Sequence, residues 1–204
     1  MVMQEIEFVY DFGSPNAYLV HRVLPALAAR NGAVVRPSPV LLGGVFKATN
    51  NQSPMEAFSR VRHKLTYQAL ELQRFVRRHG LVFHMNPHFP VNTLLPMRGA
   101  IFARGKDWEN SYMDAMFNAM WVHGQNLSER HVFEEVLRES GLPVRRTLEA
   151  VETPEVKQAL VDATARAVER GVFGAPSMLL KDELFFGKDS LPDLEFELEK
   201  ASQG

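Results

Sequence analysis

Residues 8–18 read Phe8-Val9-Tyr10-Asp11-Phe12-Gly13-Ser14-Pro15-Asn16-Ala17-Tyr18, and the fold turns on how that stretch divides. An apolar, β-favouring run from Ile6 to Tyr10 stops at Asp11-Phe12-Gly13, and a helix opens abruptly at Ser14-Pro15. Serine is a strong N-cap, and proline suits the first helical position, where a missing N–H costs nothing. The junction sets a hydroxyl beside unpaired backbone N–H groups at the positive end of a helix dipole. Such a place holds an anion, a thiolate included. Taken alone, it reads first as an ordinary capped helix.

Outward from the junction, residues 4–10 form a first strand. Residues 15–30 form a helix with Ala17, Val20, Leu24, Leu27 and Ala28 on one face. Pro25 predicts a kink or local break in it, and Gly32 ends it. Val34 to Val40 is a second strand that Pro37 and Pro39 keep short or near an edge. Strand, helix and strand in succession make a βαβ unit with a right-handed crossover and a parallel pair. Leu41 to Gln52, with two glycines and two asparagines, reads as a loop.

Ser53-Pro54 repeats the capping device and opens a helix to about His79, with Phe58, Val61, Leu65, Leu72, Phe75 and Val76 as its apolar stripe. Arg60, Arg62, Lys64, Arg74, Arg77 and Arg78 form its other face, which reads as solvated or paired with acids before it reads as a site for anions. Prolines exclude a single regular element over 80–92. Helices follow at about 93–104, 107–123, 128–139 and 143–151. Trp108, Tyr112, Met116, Met120 and Trp121 recur at helical spacing and are assigned to the core. Thr153-Pro154 starts a third capped helix, which stops at Gly171. Ser177 to Leu180 and Glu183 to Phe186, separated by Lys181-Asp182, read as a hairpin, and Leu191 to Ala201 as a last helix.

The order defines an α/β chain: a thioredoxin-like domain, β-α-β then α-β-β-α, interrupted by an all-helical insertion. Residues 1–52 and 151–204 form the outer unit, and residues 53–150 the inserted one. All the predicted strands lie outside 53–150.

Composition narrows the chemistry. The chain has 204 residues, 46% hydrophobic and 23% charged, with a formal net charge of −1, as in ordinary globular proteins. That balance gives no pull toward nucleic acid or an anionic membrane. With no basic n-region and no run near the ~18 apolar residues of a membrane span, a cytoplasmic protein is expected. There is no cysteine. Disulfides, thiolate zinc sites, iron–sulfur clusters and cysteine nucleophiles are excluded together, so any reacting sulfur comes from a ligand. His84 and His88 are four apart, but Pro87 between them spoils a helical metal pair, and no metal is expected.

In a thioredoxin-like order the end of the first strand and start of the first helix form the site, faced by a cis-proline loop before the third strand. Gly171-Val172-Phe173-Gly174-Ala175-Pro176-Ser177 occupies that place. A cis bond there leaves the Ala175 backbone free to pair with an extended peptide.

Four blocks then carry a resemblance: Tyr10-Asp11-Phe12-Gly13-Ser14-Pro15 with Tyr18-Leu19; Leu42-Gly43-Gly44-Val45-Phe46-Lys47 leading to Asn51; Val172 to Pro176; and Phe185-Phe186-Gly187-Lys188-Asp189-Ser190-Leu191. The chain resembles the kappa-class glutathione transferases and the similar 2-hydroxychromene-2-carboxylate isomerases of aromatic degradation. The resemblance implies glutathione as cofactor, with Ser14 holding its sulfur as thiolate. It implies that Asn51 binds the tripeptide, that Ala175 pairs with the cysteinyl backbone, and that Lys188 and Asp189 hold the γ-glutamyl end. It further implies reversible addition of the thiolate to an electrophilic carbon of 2-hydroxychromene-2-carboxylate, ring opening, rotation, and release of trans-o-hydroxybenzylidenepyruvate. A cation should meet the substrate carboxylate, with Lys47, Arg62 and Lys64 as candidates. The chain departs from the isomerase pattern at Asn16, where an aromatic residue is common, and at Ala17. A kappa-type glutathione transferase or peroxidase, and a non-catalytic glutathione- or peptide-binding module, are the competing readings. The resemblance also implies a homodimer.

Overall fold

The structure, a computed structural model, describes residues 3–202. Strand β1 (Gln4–Tyr10) runs into α1 (Pro15–Arg30) and returns as β2 (Ala33–Pro39), parallel to β1 from Gln4↔Ala33 to Tyr10↔Pro39. The helices α2 (Leu42–Thr49), α3 (Pro54–Ala57), α4 (Lys64–His79), α5 (Leu94–Ala103), α6 (Glu109–Trp121), α7 (Arg130–Glu139), α8 (Val144–Ala150) and α9 (Pro154–Glu169) follow. The chain closes with the hairpin β3 (Ser177–Leu180) and β4 (Glu183–Phe186), a 3-10 turn at Lys188–Ser190, and α10 (Leu191–Ser202). The sheet order is β2-β1-β3-β4, with β3 antiparallel to both neighbours. This is the thioredoxin-like α/β layout expected, with β2 at an edge as its prolines require.

Alternation along the strands divides the core between the two faces of the sheet. Ile6, Phe8 and Tyr10 with Met178 and Leu180 face α1, α6 and α10, while Val9 and Leu179 face Val40, Val45 and Ala167. The aromatic and methionine stripe is core: Tyr112, Met116, Phe117, Met120 and Trp121 are buried. α6 is docked onto the β1–α1 turn through the Phe12–Phe117 edge contact at 4.8 Å and a hydrogen bond from Trp121 Nε1 to the Phe12 carbonyl, 2.8 Å.

Three expectations differ from the structure. The Leu41–Gln52 segment is largely helical, as α2. Its first N–H groups are satisfied by distant side chains, Leu41 N by Thr164 Oγ1 and Leu42 N by Asp11 Oδ2. Gly44 lies where a Cβ would come 3.1 Å from Thr164, so the glycine lets α2 press against α9. The 53–79 helix is two helices: α3 is one turn closed by a Ser53–Glu56 capping box, and His63 at φ 68 precedes α4. Pro25 does not break α1, because the proline is exposed and the His21 carbonyl it leaves without an i+4 donor belongs to the first half of a continuous helix.

Candidate active site

The first turn of α1, the 173–176 loop and the turn after β4 meet at one end of the sheet. Ser14 is the N-cap of α1, its Oγ accepting from Ala17 N at 3.2 Å. The same hydroxyl donates to the Ala175 carbonyl at 2.8 Å, across 161 residues of chain. The Ala175–Pro176 bond is cis. No acidic residue occupies the first turn of α1, and the nearest acid in sequence, Asp11, is turned to Gly13 N, Leu42 N and Thr93. Ser14 is 5% exposed, and among the described residues its hydroxyl has no basic partner of the kind that activates a serine nucleophile.

The other candidates attach to the same loop. Asn51 Nδ2 donates to the Phe173 carbonyl at 2.9 Å, two residues before Ala175. Gly187 N donates to the Pro176 carbonyl at 3.0 Å, which brings Lys188 and Asp189 beside the cis-proline. The two differ in their surroundings. Asp189 is largely exposed, whereas Lys188 is 3% exposed. The Lys188 ammonium donates to both Asp189 oxygens, at 2.6 and 2.7 Å, and lies 3.6 Å from Glu71 and 5.7 Å from the Phe75 ring centroid. Lys188 thus orients Asp189, whose carboxylate stays largely exposed beyond that contact. Beside Ala175, the half-open rings of Phe173 and Phe186 pack at a tilt of 42°, centroids 4.5 Å apart. A Cβ on Gly174 would come 2.8 Å from Phe186, so glycine is needed there.

Sequence reasoning missed the group that holds the turn itself. Asp11 is 1% exposed and accepts from Gly13 N at 2.8 Å, Leu42 N at 2.7 Å and Thr93 Oγ1 at 2.6 Å. Its backbone carbonyl accepts from Ser14 N at 3.0 Å. One carboxylate therefore ties together the end of β1, the start of α2 and the residue before α5. Burial pushes the Asp11 carboxyl up, against the lowering effect of its three hydrogen bonds. The available signal was a charged residue set between Tyr10 and Phe12. Of the two positions that depart from the isomerase pattern, Ala17 is fully buried, and the Asn16 Oδ1 atom is buried without a hydrogen-bond partner. Among the cations proposed for a carboxylate, Lys47 and Arg62 are exposed, and Lys64 lies 5.2 Å over the Phe58 ring.

A helix N-terminus facing a cis-proline loop, on this sheet order, defines the thioredoxin-like class of site. Residues 5–199 match the DSBA-like thioredoxin domain, and the chain belongs to that family. Within it, the chain is similar to the 2-hydroxychromene-2-carboxylate isomerase of Pseudomonas sp. (strain C18), 31% identical over 193 residues that cover 93% of this chain and 88% of the relative. It is similar also to the human glutathione S-transferase kappa 1, 24% identical, over 91% of this chain and 87% of that one. A solved 2-hydroxychromene-2-carboxylate isomerase superposes with a TM-score of 0.86 at 26% identity, covering 98% of this chain and 96% of its own. Among the described residues no helix is long and apolar enough to cross a membrane.

Proposed function

We propose that the protein is a glutathione-dependent isomerase acting on 2-hydroxychromene-2-carboxylate or a close relative of it. The observation that carries this reading is the Ser14 hydroxyl, 2.8 Å from the Ala175 carbonyl at a helix N-terminus with no acid in its first turn, in a chain with no cysteine of its own. The site residues fit glutathione. The Ala175 amide N–H has no hydrogen bond among the described residues and suits an extended peptide backbone. Asp189 presents a carboxylate suited to the γ-glutamyl ammonium, and the Asn51 amide lies on the same loop.

Bound there, glutathione supplies a sulfur nucleophile that adds to an electrophilic carbon and departs again. The chain's own contribution is to hold that sulfur ionised. Ser14 Oγ–H turns from the Ala175 carbonyl to the ligand, and the α1 dipole favours the negative charge. Asp11 holds the turn so that the Ser14 hydroxyl and the cis-proline ledge stay in register. Lys188 keeps Asp189 aimed, since its ammonium bridges Asp189 and Glu71. The exposed side chains of Met55 on α3, Val61 in the break after it, and Tyr67 and Leu70 on α4 offer a surface for the homodimer, which sedimentation reads directly.

The test is turnover: the protein, glutathione and 2-hydroxychromene-2-carboxylate are mixed and the substrate absorbance followed. Conversion that requires glutathione and leaves its concentration unchanged is the expected result. Consumption of glutathione points instead to transferase chemistry, and no conversion with or without glutathione refutes the isomerase reading.

A further inference from the structure

A cavity of about 430 Å³ opens between the C-terminal half of α1, the end of α4 and the start of α10. Its size falls in the range of small-molecule pockets. It is not the thiol position. Its nearest α1 residue, Arg22, is eight residues beyond Ser14, about 12 Å along the axis at 1.5 Å per residue, and Arg30 is about 24 Å along. Ser14 does not line it, whereas Lys188 and Asp189 do.

The lining has two parts. Leu27, Phe75 and Leu191 supply a buried apolar floor, while Arg22, Arg30 and Arg78 stand around it. The acids that line the cavity are already engaged. Glu195 bonds Arg30 at 2.5 Å and Asn31 at 3.3 Å, and Asp189 takes both hydrogen bonds from Lys188. Arg22 lies 3.8 Å from Asp114, whose same oxygen is held by His21 at 2.7 Å. Arg78 has no ion pair among the described residues. The positive charge left over is felt by His79, whose imidazole burial pushes down first and Arg78 and Arg30 push down further. The His79 ring also packs on Phe75, centroids 4.3 Å apart, which extends the apolar floor into an aromatic wall. An aromatic body against that wall, with a carboxylate toward Arg78 and toward Arg22, whose one acidic partner is shared with His21, suits the lining.

We propose that this cavity is a second ligand site, taking a small aromatic carboxylate of one or two rings, separate from the thiol position. It borders the Lys188–Asp189 turn, so its occupant sits next to the group that orients Asp189.

The probe is naphthalene-2-carboxylate, titrated calorimetrically into the full chain, with the neutral naphthalene-2-carboxamide as control. Saturable binding of the acid below millimolar concentration is expected, at least about tenfold tighter than the amide, as a charge-assisted contact requires. The double substitution Arg22→Ala with Arg78→Ala, both at exposed positions, is expected to weaken it about tenfold or more. Ala26→Trp, which fills the cavity from α1, is expected to abolish it. Circular dichroism checks that each variant is folded. Ser14→Ala is expected to bind the acid as the wild type does, which separates this proposal from the glutathione reading. Absent binding, an amide that binds within tenfold, folded cavity variants that bind like wild type, or loss of binding in Ser14→Ala would each overturn the proposal.

Discussion

Replacing Asp11 by alanine tests whether a buried carboxylate builds the site. The substitution leaves three donors without their acceptor: Gly13 N, Leu42 N and Thr93 Oγ1. Gly13 is only half-buried and regains a hydrogen bond from water, so little of the loss arises there. Thr93 is 6% exposed, so its hydroxyl loses its partner away from solvent, and the part-buried Leu42 N–H loses its partner at the start of a helix packed against α9. At about 1–3 kcal/mol per buried donor left unsatisfied, less the relief of removing a buried charge, the expected loss is about 2–4 kcal/mol. In a chain of this length that lowers the melting temperature by roughly 5–15 °C. Asp11→Asn keeps the shape but points an NH2 group at one of the donors, and should lie between. Chemical denaturation by urea, with unchanged slope, is the assay. The sign with pH is fixed as well. Burial raises the Asp11 carboxyl in the folded state, so the folded chain binds that proton more readily than the unfolded one. The destabilisation from its charge is therefore relieved as pH falls toward the unfolded value of about 3.9, and the variant lacks this component. A loss of Asp11→Ala below about 0.5 kcal/mol, the level of a surface substitution, would refute the role given to Asp11.

Ser14→Ala removes the cap bond to Ala17 and should cost about 1 kcal/mol of stability while lowering glutathione-dependent turnover by about a hundredfold or more; denaturation and initial rates read the two separately. Gly99→Ala places a Cβ against the Tyr112 hydroxyl, which is buried and bonded to the Pro96 carbonyl at 2.7 Å, so overpacking of about 1–3 kcal/mol is expected in thermal denaturation. Asp114→Asn removes the charge from the 2.7 Å contact with His21 that joins α1 to α6 and holds the Asp114 carboxyl below its usual range. Because a depressed carboxylate stabilises above its unfolded value, the difference of about 0.2–1 kcal/mol between wild type and variant at neutral pH should fade on acidification below about pH 4. A difference that grows on acidification contradicts it.

The layout was legible because local signals and the global fold agree. Ser14-Pro15, Ser53-Pro54 and Thr153-Pro154 each open a helix with the serine or threonine oxygen accepting from the backbone three residues on. Alternation in β1 and the Lys181-Asp182 turn placed the strands without help from distant contacts. What could not be read was set by residues far apart in sequence. α2 starts without a side-chain cap of its own because Asp11 and Thr164 take its first donors, and Gly44, which reads as loop, is there for the approach of α9. Nothing in 58–63 is a glycine or proline, so the break between α3 and α4 carried no local mark. The unequal surroundings of Lys188 and Asp189 depend on Glu71 and Phe75, which reach them from α4.

The thiol ionisation of bound glutathione tests the central claim most directly. Ultraviolet absorbance of the thiolate is followed against pH for glutathione with excess wild-type protein and with Ser14→Ala. A thiol held clearly below the free value of about 8.5 by the wild type, and returned toward it by Ser14→Ala, is the expected result. An unshifted thiol, or a depression that Ser14→Ala leaves intact, contradicts the assignment of Ser14 and the α1 N-terminus as the seat of the thiolate.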